Sequence, residues 1–340
     1  MNVKRTLPGV GVVLLALAAF AYAFWTQMQK ALDAPVVLAE GATLFEIKHG
    51  QTLPRIADGL AAEGWLSRPI FFELEAARLG IAERLQAGIY EVRTGDTPRL
   101  LLGKFQRGEI KIFQVRFIEG TTFRELRKVL ARQPALVATI AGLEDEEVMT
   151  KLGAPGTSPE GQFFPSTYFY PAGSKDLEIL RTAHKRMQEL LERYWAGRAG
   201  DLPFTEPEQA LVVASIVEKE TAKPEERPEI AGVFVRRLQQ KMKLQTDPAV
   251  IYGLGPCFDG NLTRADLERD TPYNTYTRDG LPPTPIAMPG EDAIKAAVNP
   301  APGNTLYFVA RGDGSHEFSA SLEDHIRAVH RFQQHKTESP

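Results

Sequence analysis

Thr205-Glu-Pro-Glu-Gln-Ala-Leu-Val-Val-Ala-Ser-Ile-Val-Glu218-Lys-Glu220-Thr221 is an almost wholly apolar run that ends in two carboxylates. Thr205 and Glu208 have the spacing of a capping box, and Pro207 falls in the first turn, where its missing N–H costs nothing, so a helix is expected to start near Thr205. Leu211, Val212, Val213, Ala214, Ile216 and Val217 leave no polar stripe. Such a helix must be surrounded by protein. Pro224 stops it. At 3.6 residues per turn Glu218 lies in line with Leu211 and Ala214, so its carboxylate extends an apolar face to the end of a core or the floor of a cleft. Burial and a helix C-terminus both disfavour the charged carboxylate, which would keep Glu218 protonated and able to act as a general acid. A glycosidic bond needs such a group, because its leaving oxygen departs poorly until protonated. From periodicity alone, Glu218 reads first as an ordinary acid at a helix end, held by Lys219 or Lys223.

Outward from that helix, the 340 residues are 43% hydrophobic and 24% charged, an ordinary globular composition long enough for two domains. The net charge of −3 argues against nucleic acid as a partner. The single cysteine, Cys257, excludes an internal disulfide and a cysteine-based zinc site. Lys4 and Arg5 precede an uncharged run, Leu7 to Trp25, whose helical length of about 28 Å just spans a bilayer core. Positive charge before the run, with Asp33 and Glu40 after it, predicts a single-pass anchor with the N-terminus in the cytoplasm and the bulk of the chain outside. A cleavable signal peptide is the rival reading, since Ala21-Tyr-Ala23 is an acceptable cleavage pattern.

After a connector, expected over 31–43, one pattern occurs three times: Phe45-Glu-Ile-Lys-His-Gly50-Gln-Thr52, Tyr90-Glu-Val-Arg-Thr-Gly95-Asp-Thr97 and Val115-Arg-Phe-Ile-Glu-Gly120-Thr-Thr122. Each reads as a short strand, a glycine turn and a threonine placed to cap a helix, with helices over Leu53–Leu60, Pro98–Phe105 and Phe123–Leu130. Asp176 to Tyr194 is a long amphipathic helix with His184 on its surface. Pro228 opens another, with Arg236 and Arg237 turned to solvent. Asp247 stands before Pro248, as a helix cap does. Tyr273-Asn-Thr-Tyr276 and Gly280-Leu-Pro-Pro-Thr-Pro285 have the aromatic and polar character of loops that line sugar clefts, although proline-rich loops commonly just cross a surface. Met288-Pro-Gly-Glu-Asp292 opens a short helix, Leu306 to Ala310 and Glu317 to Ser319 are strands about a Gly312-Asp-Gly314 turn, and Ser321 to Phe332 is the last helix. His325, His330 and His335 do not share a helical face, and no phosphate loop, nucleophile elbow or zinc-protease motif occurs.

Ala214-Ser-Ile-Val-Glu-Lys-Glu-Thr221 resembles the signature of the endolytic murein transglycosylase, or YceG-like, family, and further stretches keep that family's order. These are Val233-Phe-Val-Arg-Arg-Leu238, Leu244-Gln-Thr-Asp-Pro-Ala-Val-Ile-Tyr-Gly253, Thr271-Pro-Tyr-Asn-Thr-Tyr276, Gly280-Leu-Pro-Pro283, Leu306-Tyr-Phe-Val-Ala310 and His316-Glu-Phe318. Ser158 to Tyr168 also resembles a family element, with Ser166 where the family commonly has Asp. Phe45 to Ala57 resembles a LysM module, a strand–helix–helix–strand unit that binds N-acetylglucosamine polymers; a recurrent β-turn-α unit explains the same pattern.

The resemblance implies an α+β protein: anchor 1–30, linker 31–43, LysM-like subdomain 44–112, catalytic domain 113–332 and flexible tail 333–340. It implies a lyase that cleaves MurNAc–GlcNAc bonds within peptidoglycan glycan strands to leave 1,6-anhydro ends, terminating nascent strands at the outer face of the cytoplasmic membrane near peptidoglycan synthases. Glu218 is then the catalytic residue. Glu160, Glu220, Gln245, Asp247, Tyr273, Asn274, Tyr276 and His316 are expected at the substrate, with no cofactor and no metal. Two other readings stay open: a muramidase that uses water, with Glu160 or Glu220 as second carboxylate, and a non-catalytic glycan-binding anchor.

Overall fold

The computed structural model describes residues 7–333. Lys4, Arg5 and the tail beyond Gln333 lie outside them. The chain divides into two compact units, one of residues 1–113 with 170–172, the other of 114–169 with 173–340.

The first unit opens with helix α1 (Leu7–Leu32), which includes a stretch, Gly11–Leu32, long and apolar enough to cross a membrane. Strand β1 (Ala42–Ile47), helices α2 (Leu53–Ala62) and α3 (Pro69–Arg78) and strand β2 (Gly88–Arg93) follow, then α4 (Pro98–Arg107). β1 and β2 pair antiparallel with Phe45 opposite Tyr90, a strand–helix–helix–strand order. Alternation sends Phe45, Ile47, Tyr90 and Val92 inward onto Leu60, Phe72, Leu101 and Phe105. Thr97 caps α4 as expected, its hydroxyl accepting from Leu100 N–H at 3.2 Å, and left-handed Gly108 ends that helix. Thr52 precedes α2 without a side-chain cap. Residues 31–43 are more than a connector. Leu32 and Val36 are buried in this unit's core, and the Val36 and Asp96 backbones are joined at 2.7 Å.

The second unit contains helices α5 (Phe123–Ala131) and α6 (Asp145–Leu152), α7 (Asp176–Ala196), α8 (Pro207–Glu220), α9 (Arg227–Gln239), α10 (Asp247–Leu254), α11 (Arg264–Glu268) and α12 (Glu291–Val298), and α13 (Leu322–Gln333). Strand β3 (Ile112–Arg116) pairs with β4 (Thr167–Pro171). β5 (Tyr307–Ala310) and β6 (His316–Ser319) form an antiparallel hairpin with Phe308 opposite Phe318. The architecture is thus mixed α and β, dominated by helices. α8 is buried without interruption from Ala210 to Val217, packed among α7, α9 and α12. Burying such a residue fully is worth roughly 1.5–3 kcal/mol, so this helix is the axis of the core.

Several local expectations change. α8 begins one residue later than read: Glu206 is its N-cap, and the Gln209 side-chain oxygen accepts from the Thr205 and Glu206 N–H groups at 2.8 and 3.1 Å. His184 is buried, its Nδ1 3.1 Å from the Gln162 carbonyl and its ring beside Phe163. Arg237, read as solvated, is buried too. Its guanidinium donates to the carbonyls of Lys243 and Leu244, just past its own helix, and of Leu306, which only the tertiary fold brings there. Arg236 similarly donates to the carbonyls of Ala301 and Thr305. Asp247 is the first residue of α10, with Thr246 as N-cap.

Candidate active site

Glu218 occupies the last turn of α8, where the core ends and a cleft of about 440 Å³ begins. The cleft is lined by Ile118, Glu119, Gly120, Glu218, Lys219, Glu220, Thr221, Ala222 and Arg227. Only 6% of the Glu218 side chain is exposed. Its Oε1 accepts from Arg227 Nη2 at 2.9 Å and its Oε2 accepts from the Gly290 N–H at 2.9 Å. The ordinary-acid reading, with Lys219 or Lys223 as partner, does not describe this site. Lys219 instead donates to the Gly120 carbonyl at 3.1 Å.

Two opposed effects act on the Glu218 proton. Burial raises its pKa above the usual carboxylate range, and the Gly290 N–H and the Arg227 guanidinium hold it back. Glu119 and Asp292 push it up further. Both also draw on Arg227, at 4.0 and 3.9 Å, so that cation is shared among three carboxylates. Gly290 is the N-cap of α12, whose N–H groups and dipole favour an anion at this end. The net direction is upward, with donors in place for the ionised form: a carboxyl that can give a proton and then be stabilised without it.

The loop beside it is fixed by backbone pairing. Gly120 N–H donates to the Met288 carbonyl at 2.9 Å and Met288 N–H returns a bond to Thr121 at 2.8 Å. Gly120 has φ +74°, which a side chain rarely adopts, and the turn brings its α-carbon close to the Glu218 and Lys219 side chains. Thr122 closes a capping box with Glu125 and starts α5 directly after.

Glu220, two residues on, points to another side of α8 and borders a second cleft of about 450 Å³ as well as the first. Its Oε1 accepts from Thr246 Oγ1 at 2.6 Å, and burial pushes it up to about 7. The second cleft brings together Gln245, Asp247, Tyr276 and His316, with Arg237 and Tyr307. Tyr276 donates its hydroxyl to Asp247 Oδ1 at 2.6 Å, and Gln245, at φ +51°, accepts from Arg237 at 3.2 Å. His316 is held by Glu226, with Nδ1 at 2.7 Å and its own N–H at 3.0 Å from the two carboxylate oxygens. Five of the expected site residues therefore share one wall system.

Three do not. Glu160 is buried between the Phe123 N–H at 3.0 Å and the Tyr252 hydroxyl at 3.1 Å, and burial lifts it to about 7. Asn274 is fully buried: its amide donates to the carbonyls of Asp266, Leu267 and Arg269 at the end of α11, and its Oδ1 accepts from the Tyr276 N–H at 2.8 Å, so its bonds are spent inside the protein. Tyr273 packs edge-on against Tyr252 and bonds Thr284 at 2.8 Å. The Gly280–Pro285 loop lines a third groove, about 590 Å³, beside Glu208 and Val212 at the other end of α8.

Arg227, Gly290, Glu119 and Asp292 are the site residues that sequence reading missed. Only Arg227 left a signal, a cation nine residues past Glu218 and just beyond the Pro224 break.

Comparison with known proteins adds an independent line. The model of the YceG-like family matches residues 45–331. A Bacillus subtilis protein named endolytic murein transglycosylase is 30% identical over 328 residues, covering 91% of this chain and 90% of the relative. A Streptococcus pneumoniae protein of the same name is 28% identical over 318 residues, 83% of this chain and 57% of that longer one. The crystal structure of a yceG-like protein from Listeria monocytogenes superposes with a TM-score of 0.55 at 27% identity, over 84% of this chain and 98% of the other.

Proposed function

The chain belongs to the YceG-like family, and from that premise we propose that it is an endolytic murein transglycosylase, a lyase acting on peptidoglycan glycan strands. The observation that carries the site assignment is Glu218: a nearly buried carboxyl at the wall of an open cleft, pushed toward the protonated form by burial and supplied with two donors for its ionised form. In the forward step Glu218 gives its proton to the oxygen linking MurNAc C1 to GlcNAc C4, and the C1–O bond breaks with the electron pair leaving on that oxygen. Positive charge at C1 is carried as an oxocarbenium-like or N-acetyl-assisted intermediate. The Glu218 carboxylate, now held by Arg227 and the Gly290 N–H, takes the proton of the MurNAc C6 hydroxyl, and O6 closes on C1. Protons and electrons balance with no water consumed, so one carboxylate serves twice and no second one at fixed spacing is needed.

Gln245, Asp247, Tyr276 and His316, in the cleft that shares Glu220 with the first, are suited to hold further sugar units of the strand. The α1 stretch Gly11–Leu32 suits a single-pass anchor with the enzyme outside the cytoplasm, where it would terminate growing strands near the synthases. The β1-α2-α3-β2 order is compatible with a glycan-binding LysM-like unit. Hydrolysis with Glu220 as second carboxylate is the competing chemistry, because Glu220 borders the same cleft.

The test is the product of purified glycan strands. Wild type releases fragments with 1,6-anhydro ends from within strands, and Glu218→Gln, which cannot donate the acid proton, loses roughly 10²–10⁴-fold or more of the rate. Reducing ends in place of anhydro ends would make it a hydrolase. Near-full activity in Glu218→Gln would remove Glu218 from the mechanism.

A further inference from the structure

α1 changes character along its length. Val12, Leu15, Phe20 and Tyr22 are exposed, whereas Met28 and Leu32 are buried in the core of the first unit. The changeover falls at Phe24 and Trp25, and helix α3 lies at that level. Phe71, in its first turn, packs edge-on against Phe24 with centroids 5.4 Å apart. Arg78, in its last, sets its guanidinium 6.0 Å from the Trp25 ring. Those two α3 residues are seven apart, about 10 Å of helix at roughly 1.5 Å per residue, yet they meet neighbouring residues of α1. Both ends of α3 therefore meet α1 at one level, that of Phe24 and Trp25.

The face of α3 beside this contact is apolar and uncovered. Ile70 is 50% exposed and Leu74 40%, and Ala77 completes the i, i+4, i+7 stripe. Arg68 and Arg78 flank it on the cationic side, and Arg68 makes no ion pair among the described residues. Glu73 marks the opposite edge. Glu75, on the α1 side, is buried under Arg78 and Arg99, and Arg99 also binds Asp33 at 2.7 Å and Gln29. That network ties α1, α3 and α4 into one body, so α1 continues into the unit without a hinge.

We propose that α3 is an interfacial helix: Ile70, Leu74 and Ala77 rest in the headgroup boundary of the bilayer that α1 spans, and Arg68, which carries no ion pair among the described residues, meets anionic lipid phosphate. This rests on the reading of α1 as a membrane span. An amphipathic helix in this position inserts its apolar face about 5–10 Å into the headgroup region. Here the insertion is continuous with the span and is set by packing, since the aromatic pair and the Arg99 network fix the height of the unit on α1. The first unit would then sit on the membrane with α3 as its foot.

The test uses the full chain in nanodiscs of phosphatidylcholine and phosphatidylglycerol, in a Cys257→Ser background, with a fluorophore at Leu74→Cys or Leu15→Cys. Nitroxide lipids labelled at the headgroup or deep in the acyl chain act as quenchers. The proposal expects Leu15→Cys to be quenched by deep nitroxide and Leu74→Cys by headgroup nitroxide. Ile70→Glu/Leu74→Glu, with the label moved to Ala77→Cys, should abolish the headgroup quenching while the thermal melt is retained, because both replaced side chains are at the surface. No quenching at Leu15→Cys would overturn the span itself. Quenching at Leu15→Cys with none at Leu74→Cys would leave the span standing and sink the interfacial helix, with water, a second copy or another protein facing the stripe.

Discussion

Arg227→Gln should move the pH dependence of cleavage upward. The guanidinium donates to Glu218 at 2.9 Å, with 8% and 6% of the two side chains exposed. Two unit charges about 4 Å apart at an effective dielectric near 20 interact by roughly 4 kcal/mol. At about 1.36 kcal/mol per pKa unit this sets a ceiling of roughly three units. Glu119 and Asp292 lie 4.0 and 3.9 Å from the same cation and take part of its field, so about 1–2 units is the working figure. The sign follows from the mechanism. Protonated Glu218 is the active acid, burial already raises its pKa, and Arg227 is the charge opposing that rise. Without it the descending limb of kcat/KM against pH should shift up by about 1–2 units, while the rate on the low-pH plateau falls because one of the two bonds orienting the carboxyl is gone. The assay counts anhydro ends released from defined glycan strands across the pH range. Arg227→Lys, which restores the charge, should return the limb most of the way. A limb that stays in place in a folded Arg227→Gln protein would refute the claim that Arg227, beside the Gly290 N–H, holds the Glu218 pKa back.

Glu160 and Asn274 give two stability predictions. The folded-state pKa of Glu160, about 7, lies above its ordinary value of 4.5, so its contribution is present below pH 4.5 and is lost as pH rises through 7. The melting temperature should fall across that window, and Glu160→Gln, which still accepts from Phe123, should flatten part of the slope, worth at most about 3 kcal/mol. An unchanged slope in thermal melts would discount Glu160 and leave Glu218 and Glu220, which titrate in the same direction, to explain it. Asn274→Ala removes donors from three carbonyls and should cost about 2–4 kcal/mol in denaturant unfolding; a loss below about 1 kcal/mol would mean that water replaces the amide.

The elements with local causes were legible from the chain. The unbroken apolar run gave α8, and glycine turns followed by threonine gave the starts of α4 and α5, because caps and periodicity act over a few residues. The partners of Glu218 were not. Arg227 stands past a helix break and Gly290 is 72 residues away, so both contacts exist only after α9 and α12 have packed on α8. The same cause misplaced Arg236, Arg237 and His184. Charge and spacing said surface, but each side chain finds backbone carbonyls from distant segments, and a satisfied polar group can be buried. Asn274 misled in the opposite way. An amide beside two tyrosines suits a sugar cleft, yet its hydrogen bonds are all spent within its own loop.

Because α8 has no solvent face from Ala210 to Val217, its backbone amides are screened by the helices packed on it, and they should be among the last in the molecule to exchange with deuterium. Glu218 rides on that slow-exchanging segment, so its position is inherited from the part of the chain that opens least often. Reorganisation to admit a polymer then has to come from the other wall. The facing Ile118–Thr121 loop is bonded to Met288 in both directions and to Lys219 of α8 itself, so any opening there has to break those three bonds while the acid stays still.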